Sequence, residues 1–220
     1  MGALDSDTII STALKKVGNE TITTDAQVWI YNILARLYED FKWPFLEKIA
    51  TGNLTASQSA VTLPADFDAP WDDDSFVVIN STGGYSPLIF STQHDQDFLI
   101  NPSLTGTPQR ALINLQAMTW RPYPLPDTSY TWQVRYKYKP STEIYDGSYA
   151  NFTPVFPNDQ ILVQALFVES LQHEDDDRYT TEMKVLAGMI AQYKAKFNLQ
   201  ANKLQRVRLS SKFTTPSSFR

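Results

Sequence analysis

The spacing of apolar residues changes period twice along this chain, from helical to strand-like and back, and that order limits the fold more than any motif does. Residues Ser6–Val17 place Ile10, Ala13, Leu14 and Val17 on one helical face, with Asp5 or Ser6 as cap and Gly18 as the stop. Thr24 and Gln27 have the spacing of a capping box, which predicts a second helix running to about Trp43. Its stripe is Trp29, Ile30, Ile33, Leu34, Leu37 and Phe41, and Pro44 forbids continuation.

From Leu54 to Lys139 the pattern is strand-like. Short β-prone runs at Val61–Leu63, Phe76–Ile79 and Pro87–Phe90 are separated by Pro, Asp, Asn and Gly. Gln93–Leu99 reads as one or two helical turns. Ala111–Trp120 and Tyr130–Tyr138 both alternate, and the prolines of RPYPLPDT between them predict a rigid turn and an antiparallel hairpin. On the second of these strands Trp132, Val134, Tyr136 and Tyr138 oppose Gln133, Arg135 and Lys137. Helical spacing returns after Pro157 and Asn158, with Ile161, Leu162, Ala165, Leu166 and Val168 on one face to about Gln172. Glu174–Asp177 reads as a break, and a fourth helix runs from Thr180 to about Leu204 on Met183, Leu186, Ala187, Ile190, Tyr193 and Phe197.

The expected fold class is therefore α+β. About four N- and C-terminal helices form a bundle, an antiparallel β domain is inserted, and an extended C-terminal tail follows. The expected divisions are 1–46, N-terminal helices; 47–156, β-rich domain; 157–204, C-terminal helices; and 205–220, tail. Ser210–Arg220 has only Phe213 and Phe219 as large apolar groups and cannot pack on itself.

Charge is distributed as unevenly as period. No Lys or Arg occurs from Ile49 to Gln109, where Asp66, Asp68, Asp72, Asp73, Asp74, Asp95 and Asp97 all lie. Residues 203–220 hold Lys203, Arg206, Arg208, Lys212 and Arg220 without an acid. Against a net charge of −5, those five cations leave about −10 on the rest, a sign asymmetry typical of an interaction tail. A chain with 42% hydrophobic residues is not disordered in bulk, and without Cys it has neither disulfide nor thiolate ligand. No run of apolar residues reaches membrane-spanning length.

Chemistry has little to work with. The only histidines are His94 and His173. The string GYSPL at Gly84–Leu88 starts like a nucleophile elbow, but Leu88 stands where the second glycine belongs. No phosphate-binding loop is present. Glu169, His173 and Asp177 are four residues apart and would align on an unbroken helix as ligands for a divalent cation, but a solvated charge run at a helix end explains them as well. The Asp66–Asp74 block lacks the glycine and glutamate of a calcium loop. Tyr136 and Tyr138 beside Arg135 and Lys137 allow a stacking surface for single strands, although period-two aromatics more often face a core. No catalytic, cofactor-binding or metal residue is expected, no cofactor, and no enzymatic activity.

The succession of WPFL (Trp43–Leu46), LPADF (Leu63–Phe67), RPYPLP…YTWQVRYKYKP (Arg121–Pro140) and FPNDQILVQAL (Phe156–Leu166) resembles the head-to-tail adaptor, or gatekeeper, proteins of short-tailed bacteriophages. The resemblance spans most of residues 6–200. It implies a virion structural protein of the phage neck, made in the host cytoplasm. About a dozen copies would form a ring between portal and tail, around the channel through which DNA leaves. The implied partners are other copies, the portal protein, tail nozzle or fibre proteins, and double-stranded DNA by non-specific proximity; no membrane is implied. Arg206, Arg208, Lys212, Phe213, Phe219 and Arg220 become the portal-docking tail. The aspartates at 66, 68, 72, 73, 74, 95 and 97 become a channel or inter-subunit acidic surface that does not grip phosphate. Another tail or tube component, a glycan-binding module using Trp and Tyr, and an enzyme using Glu169, His173 and Asp177 are the alternatives.

Overall fold

The computed structural model describes residues 3–92 and 103–212, with side chains over 3–90 and 103–198. The chain is α+β and divides into two compact units. One is built from both ends, Met1–Phe45 and Thr142–Arg220, and the other from the middle, Leu46–Ser141. The second boundary thus falls at Ser141 rather than at residue 156, because the segment after it bonds to the helices.

In the helical unit, α1 (Ser6–Val17) begins where the Asp5 carboxylate accepts from the Thr8 N–H at 2.7 Å. It ends at Gly18, whose φ of 87° suits glycine and lets its N–H donate to the Leu14 carbonyl. Helix α2 spans Thr23–Asp40 and lacks the capping box read from Thr24 and Gln27. Ile22 holds the cap position without a side-chain bond, and the Thr23 hydroxyl donates to the Glu20 carbonyl instead. Helix α3 (Asp159–His173) is capped by Asn158, and every residue from Ile161 to Val168 is buried. A helix apolar nearly all round is a central one, and α1, α2 and α4 all pack on it. Within it, the Gln164 amide donates to Glu182 at 2.8 Å, which satisfies its buried polar end.

Helix α4 spans Tyr179–Lys212, about 50 Å at 1.5 Å per residue. Residues 205–212 are therefore helical, where an extended tail was expected, because nothing in Lys203–Lys212 breaks a helix. None of its described side chains is fully buried. It is held instead by an aromatic cluster around Trp43, which is 0% exposed. The Trp43 ring lies 4.7 Å from Phe41, 5.2 Å from Phe156, 5.5 Å from Tyr193 and 5.8 Å from Phe197, centroid to centroid. Its indole N–H donates to the Leu37 carbonyl at 2.6 Å.

The β unit has eleven strands among the described residues: β1 Glu47–Leu54, β2 Val61–Thr62, β3 Phe67–Pro70, β4 Phe76–Ile79, β5 Tyr85–Pro87, β6 Ile89–Thr92, β7 Thr105–Gly106, β8 Arg110–Asn114, β9 Thr119–Tyr123, β10 Leu125–Pro126 and β11 Tyr130–Tyr138. One sheet runs β1-β11-β4-β5, with β3 also on β11, a second runs β2-β9-β8-β6, and β7 pairs with β10. Two expectations change here. The run Ala111–Trp120 is two strands, turned at Leu115–Met118, and β11 pairs with β1, β3 and β4 rather than with its sequence neighbour. Of the prolines of RPYPLPDT, Pro122 lies in β9 and Pro126 in β10, and Pro124 is the bend between those two, so they do not form a turn between paired strands. The unit is also not wholly antiparallel, because β6–β8 and β7–β10 are parallel pairs. Parallel neighbours need a long connection, and the chain between β6 and β8 supplies one.

The core between the sheets holds Leu54, Phe76, Val78, Trp120, Trp132, Val134 and Tyr136. The alternation of β11 places Trp132, Val134 and Tyr136 inward as its sequence predicts. Gly52 is directly opposite Trp132, and a Cβ there would lie 2.7 Å from the indole. The glycine is needed for that close approach.

Candidate assembly interface

Three of the five described aspartates of the predicted acidic surface are paired with cations within the β unit. On the outer face of its first sheet, Arg135 donates to Glu47 at 2.8 Å and reaches Asp72 at 3.3 Å. Lys137 pairs with Asp68 at 2.8 Å, and Lys48 with Asp66 at 2.6 Å. Lys48 also lies 3.9 Å from the centre of the Tyr138 ring. Burial pushes the Asp66 carboxyl up, but the Lys48 ammonium and the Tyr136 hydroxyl outweigh it and hold it below the ordinary range. Such partly exposed pairs stabilise by about 0–1 kcal/mol each, so their effect is to fix register and cancel charge. Asp73 and Asp74 are exposed and make no ion pair among the described residues. Asp95 and Asp97 lie outside the described residues.

The tail residues separate in the same way. Arg206, Arg208 and Lys212 belong to the last turns of α4, and Phe213, Phe219 and Arg220 lie outside the described residues. The possible metal set does not gather. Glu169 pairs with Arg36 at 3.0 Å, the His173 ring leans on Trp29 at 5.1 Å, and α3 ends at His173, before Asp177. No group of three or more His, Asp or Glu among the described residues is placed to hold a cation. GYSPL lies on strand β5, not between a strand and a helix. The stacking surface is not formed, since Tyr136 is 4% exposed and Arg135 and Lys137 are paired.

Tyr145–Pro157 is loop-like in sequence, with nothing in it to show what the segment does. Residues 144–157 form a strap across the helical unit. The Ser6 N–H donates to the Phe152 carbonyl at 2.8 Å, and its hydroxyl donates to Asn151, 145 positions away, at 2.9 Å. The Tyr149 hydroxyl donates to Asp7 at 2.5 Å, and the Ala150 N–H donates to the Tyr31 hydroxyl at 3.4 Å. Burial and the neighbouring Asp7 push the Tyr149 phenol up. At the start of the strap Glu143 is buried, 5% exposed, accepting from the Tyr38 hydroxyl and, at 2.6 Å, from the Val155 N–H. No pattern in the sequence marks these residues, because their partners are distant along the chain.

Burial raises the Glu143 carboxyl above its ordinary value of 4.5, more than the two hydrogen bonds lower it. The sign follows from linkage. The unfolded chain gives up this proton first, so stability falls as pH rises from about 4.5 through the folded value, and the difference vanishes below both. Glu143→Gln should therefore gain melting temperature relative to the parent as pH is raised from 4.5 to 7. Paired thermal scans across that range check this, and a constant difference would show that Glu143 titrates normally.

Among the described residues, no helix is long and apolar enough to cross a membrane. No curated protein matches the sequence. A family model described as SU10 adaptor protein matches residues 5–218, so the chain belongs to the SU10 adaptor family, structural adaptor proteins of bacteriophage particles.

Proposed function

We propose that this protein forms a ring of about a dozen copies between the portal and the tail, with DNA leaving through its centre. The observation that carries the reading is that the family match spans both units and reaches residue 218, so the resemblance to the adaptors takes in most of the basic C-terminal segment. In this reading the helical unit with its inserted β unit is the ring body, and the end of α4 with the residues after it docks on the portal. Arg206, Arg208 and Lys212 supply that segment's charge, and Phe213 and Phe219 are its aromatic anchors, because a few buried aromatics dominate most interfaces. Tail nozzle or fibre proteins bind the opposite side. Before assembly the protein resides in the host cytoplasm.

The channel charge in this reading falls mainly to Asp73 and Asp74, since Asp66, Asp68 and Asp72 already have cations. Exposed carboxylates repel phosphate and let DNA slide without being held. A glycan platform loses its best residues, because Trp132 and Tyr136 are in the core.

The test is the mass of the purified protein alone and mixed with the portal of the same phage, by native mass spectrometry. The expected result is a defined ring of subunits on the portal. A protein that remains a single 25.0 kDa species with the portal present would overturn the proposal.

A further inference from the structure

The long helix α4 leans on α3 and leaves an open groove between itself and α2. The groove is about 380 Å³. Its floor is Ala165 and Val168, and its walls are Ile33 and Leu37 on one side and Leu186 and Ile190 on the other. The charges at its rim are already partnered within the chain: Arg36 with Glu169 at 3.0 Å, and Lys194 with Asp40. An occupant must therefore bring apolar surface, and neither DNA nor a basic segment fits that chemistry.

The large apolar side chains exposed on the helical unit, among the described residues, fall in two places. Met183 lines the groove, and Val185 stands outside its lining, both on α4. Ile144 and Tyr145 are on the strap, 44% and 42% exposed. The strap is held by the Ser6, Tyr31 and Glu143 bonds, and the Tyr145 ring lies 5.5 Å from that of Tyr31. A knob fixed in advance loses little entropy on docking.

Position around α2 decides how knob and groove can meet. Tyr31 supports the knob, and Asp40, nine residues on, borders the groove. At about 100° per residue these two point to opposite flanks of the helix. The knob of one copy is thus turned away from its own groove and would have to enter that of another copy. Contacts between two different patches are head-to-tail, and they close into rings when the rotation permits. Charge agrees as well. Asp146 is exposed beside the knob, and Lys184, next to Met183, makes no ion pair among the described residues.

We propose that the α2–α4 groove receives Ile144 and Tyr145 of a second copy of this chain, and that this contact is the seam between subunits. The inference rests on the ring reading above and names its interface. Because the chain has no Cys, Tyr145→Cys with Ala187→Cys gives a clean cross-linking pair in the full-length protein assembled on the portal. Both positions are exposed, so each variant should melt like the parent. After oxidation, the double variant should run as a ladder of covalent oligomers on a non-reducing gel, while each single variant gives at most a dimer. Tyr145→Lys or Ala187→Glu alone should weaken assembly tenfold or more, and together they should restore it. If rings form but no ladder appears and the charges do not rescue each other, the groove takes another occupant and this seam is wrong while the ring stands. If the parent forms no ring with or without portal, the ring reading fails and the seam fails with it.

Discussion

Replacing Trp43 with alanine is expected to lower the stability of the helical unit by about 3–5 kcal/mol. The ring is fully buried among Phe41, Phe45, Phe156, Tyr193 and Phe197, residues from both ends of the chain. Its removal opens a cavity at the contact that holds α4, and it leaves the Leu37 carbonyl without the indole donor. Against a total stability of about 5–15 kcal/mol this is a large share. In a chain this size it should appear as a fall of roughly 6–20 °C in the transition of the helical unit. Trp132→Ala should act comparably on the β unit, since that ring is 7% exposed over Gly52. Trp29→Ala should not, because Trp29 is only half-buried beside His173, and a loss near about 1 kcal/mol is expected. Thermal scans of the three variants rank them, and a Trp43 variant that melts with Trp29→Ala would contradict the packing described.

Deleting residues 205–220 should leave the melting temperature unchanged and abolish docking to the portal. The side chains that fasten α4, Tyr193 and Phe197, precede the cut, so the aromatic cluster survives it. The deleted segment carries Arg206, Arg208, Lys212 and Arg220 and no acid, together with Phe213 and Phe219. Its loss removes both the long-range attraction and the aromatic anchors. Co-elution of truncated and full-length protein with the portal measures the effect. If the truncated protein still docks with full affinity, the portal contact belongs to another surface.

Local patterns survived folding where the chain's own geometry enforces them. Asp5 caps α1 and Gly18 ends it because both act on backbone groups within a few residues. The alternation of Trp132, Val134 and Tyr136 appears unchanged in β11, since a strand turns every second side chain to one face. One local pattern did not form, and a different local bond stands beside it. Thr24 and Gln27 have the spacing of a capping box, yet the Thr23 hydroxyl turns back to Glu20.

What the sequence determined by itself is the order of helix and strand, the α+β class, the absence of disulfide chemistry, and the uneven charge, because these depend on residue identity and spacing alone. The tertiary structure alone decided which strands pair and which charges meet. It joined β11 to β1, β3 and β4 rather than to its neighbour in the chain. That pairing brings Arg135 and Lys137 against Asp72 and Asp68, and β1 brings Lys48 against Asp66, so three of the five described aspartates of the acidic block have cation partners. It also tied the strap to Ser6, Tyr31 and Tyr38, and left the α2–α4 groove open. Strand partners and ion pairs across a sheet are chosen by burial of the whole core, which no local window of sequence contains.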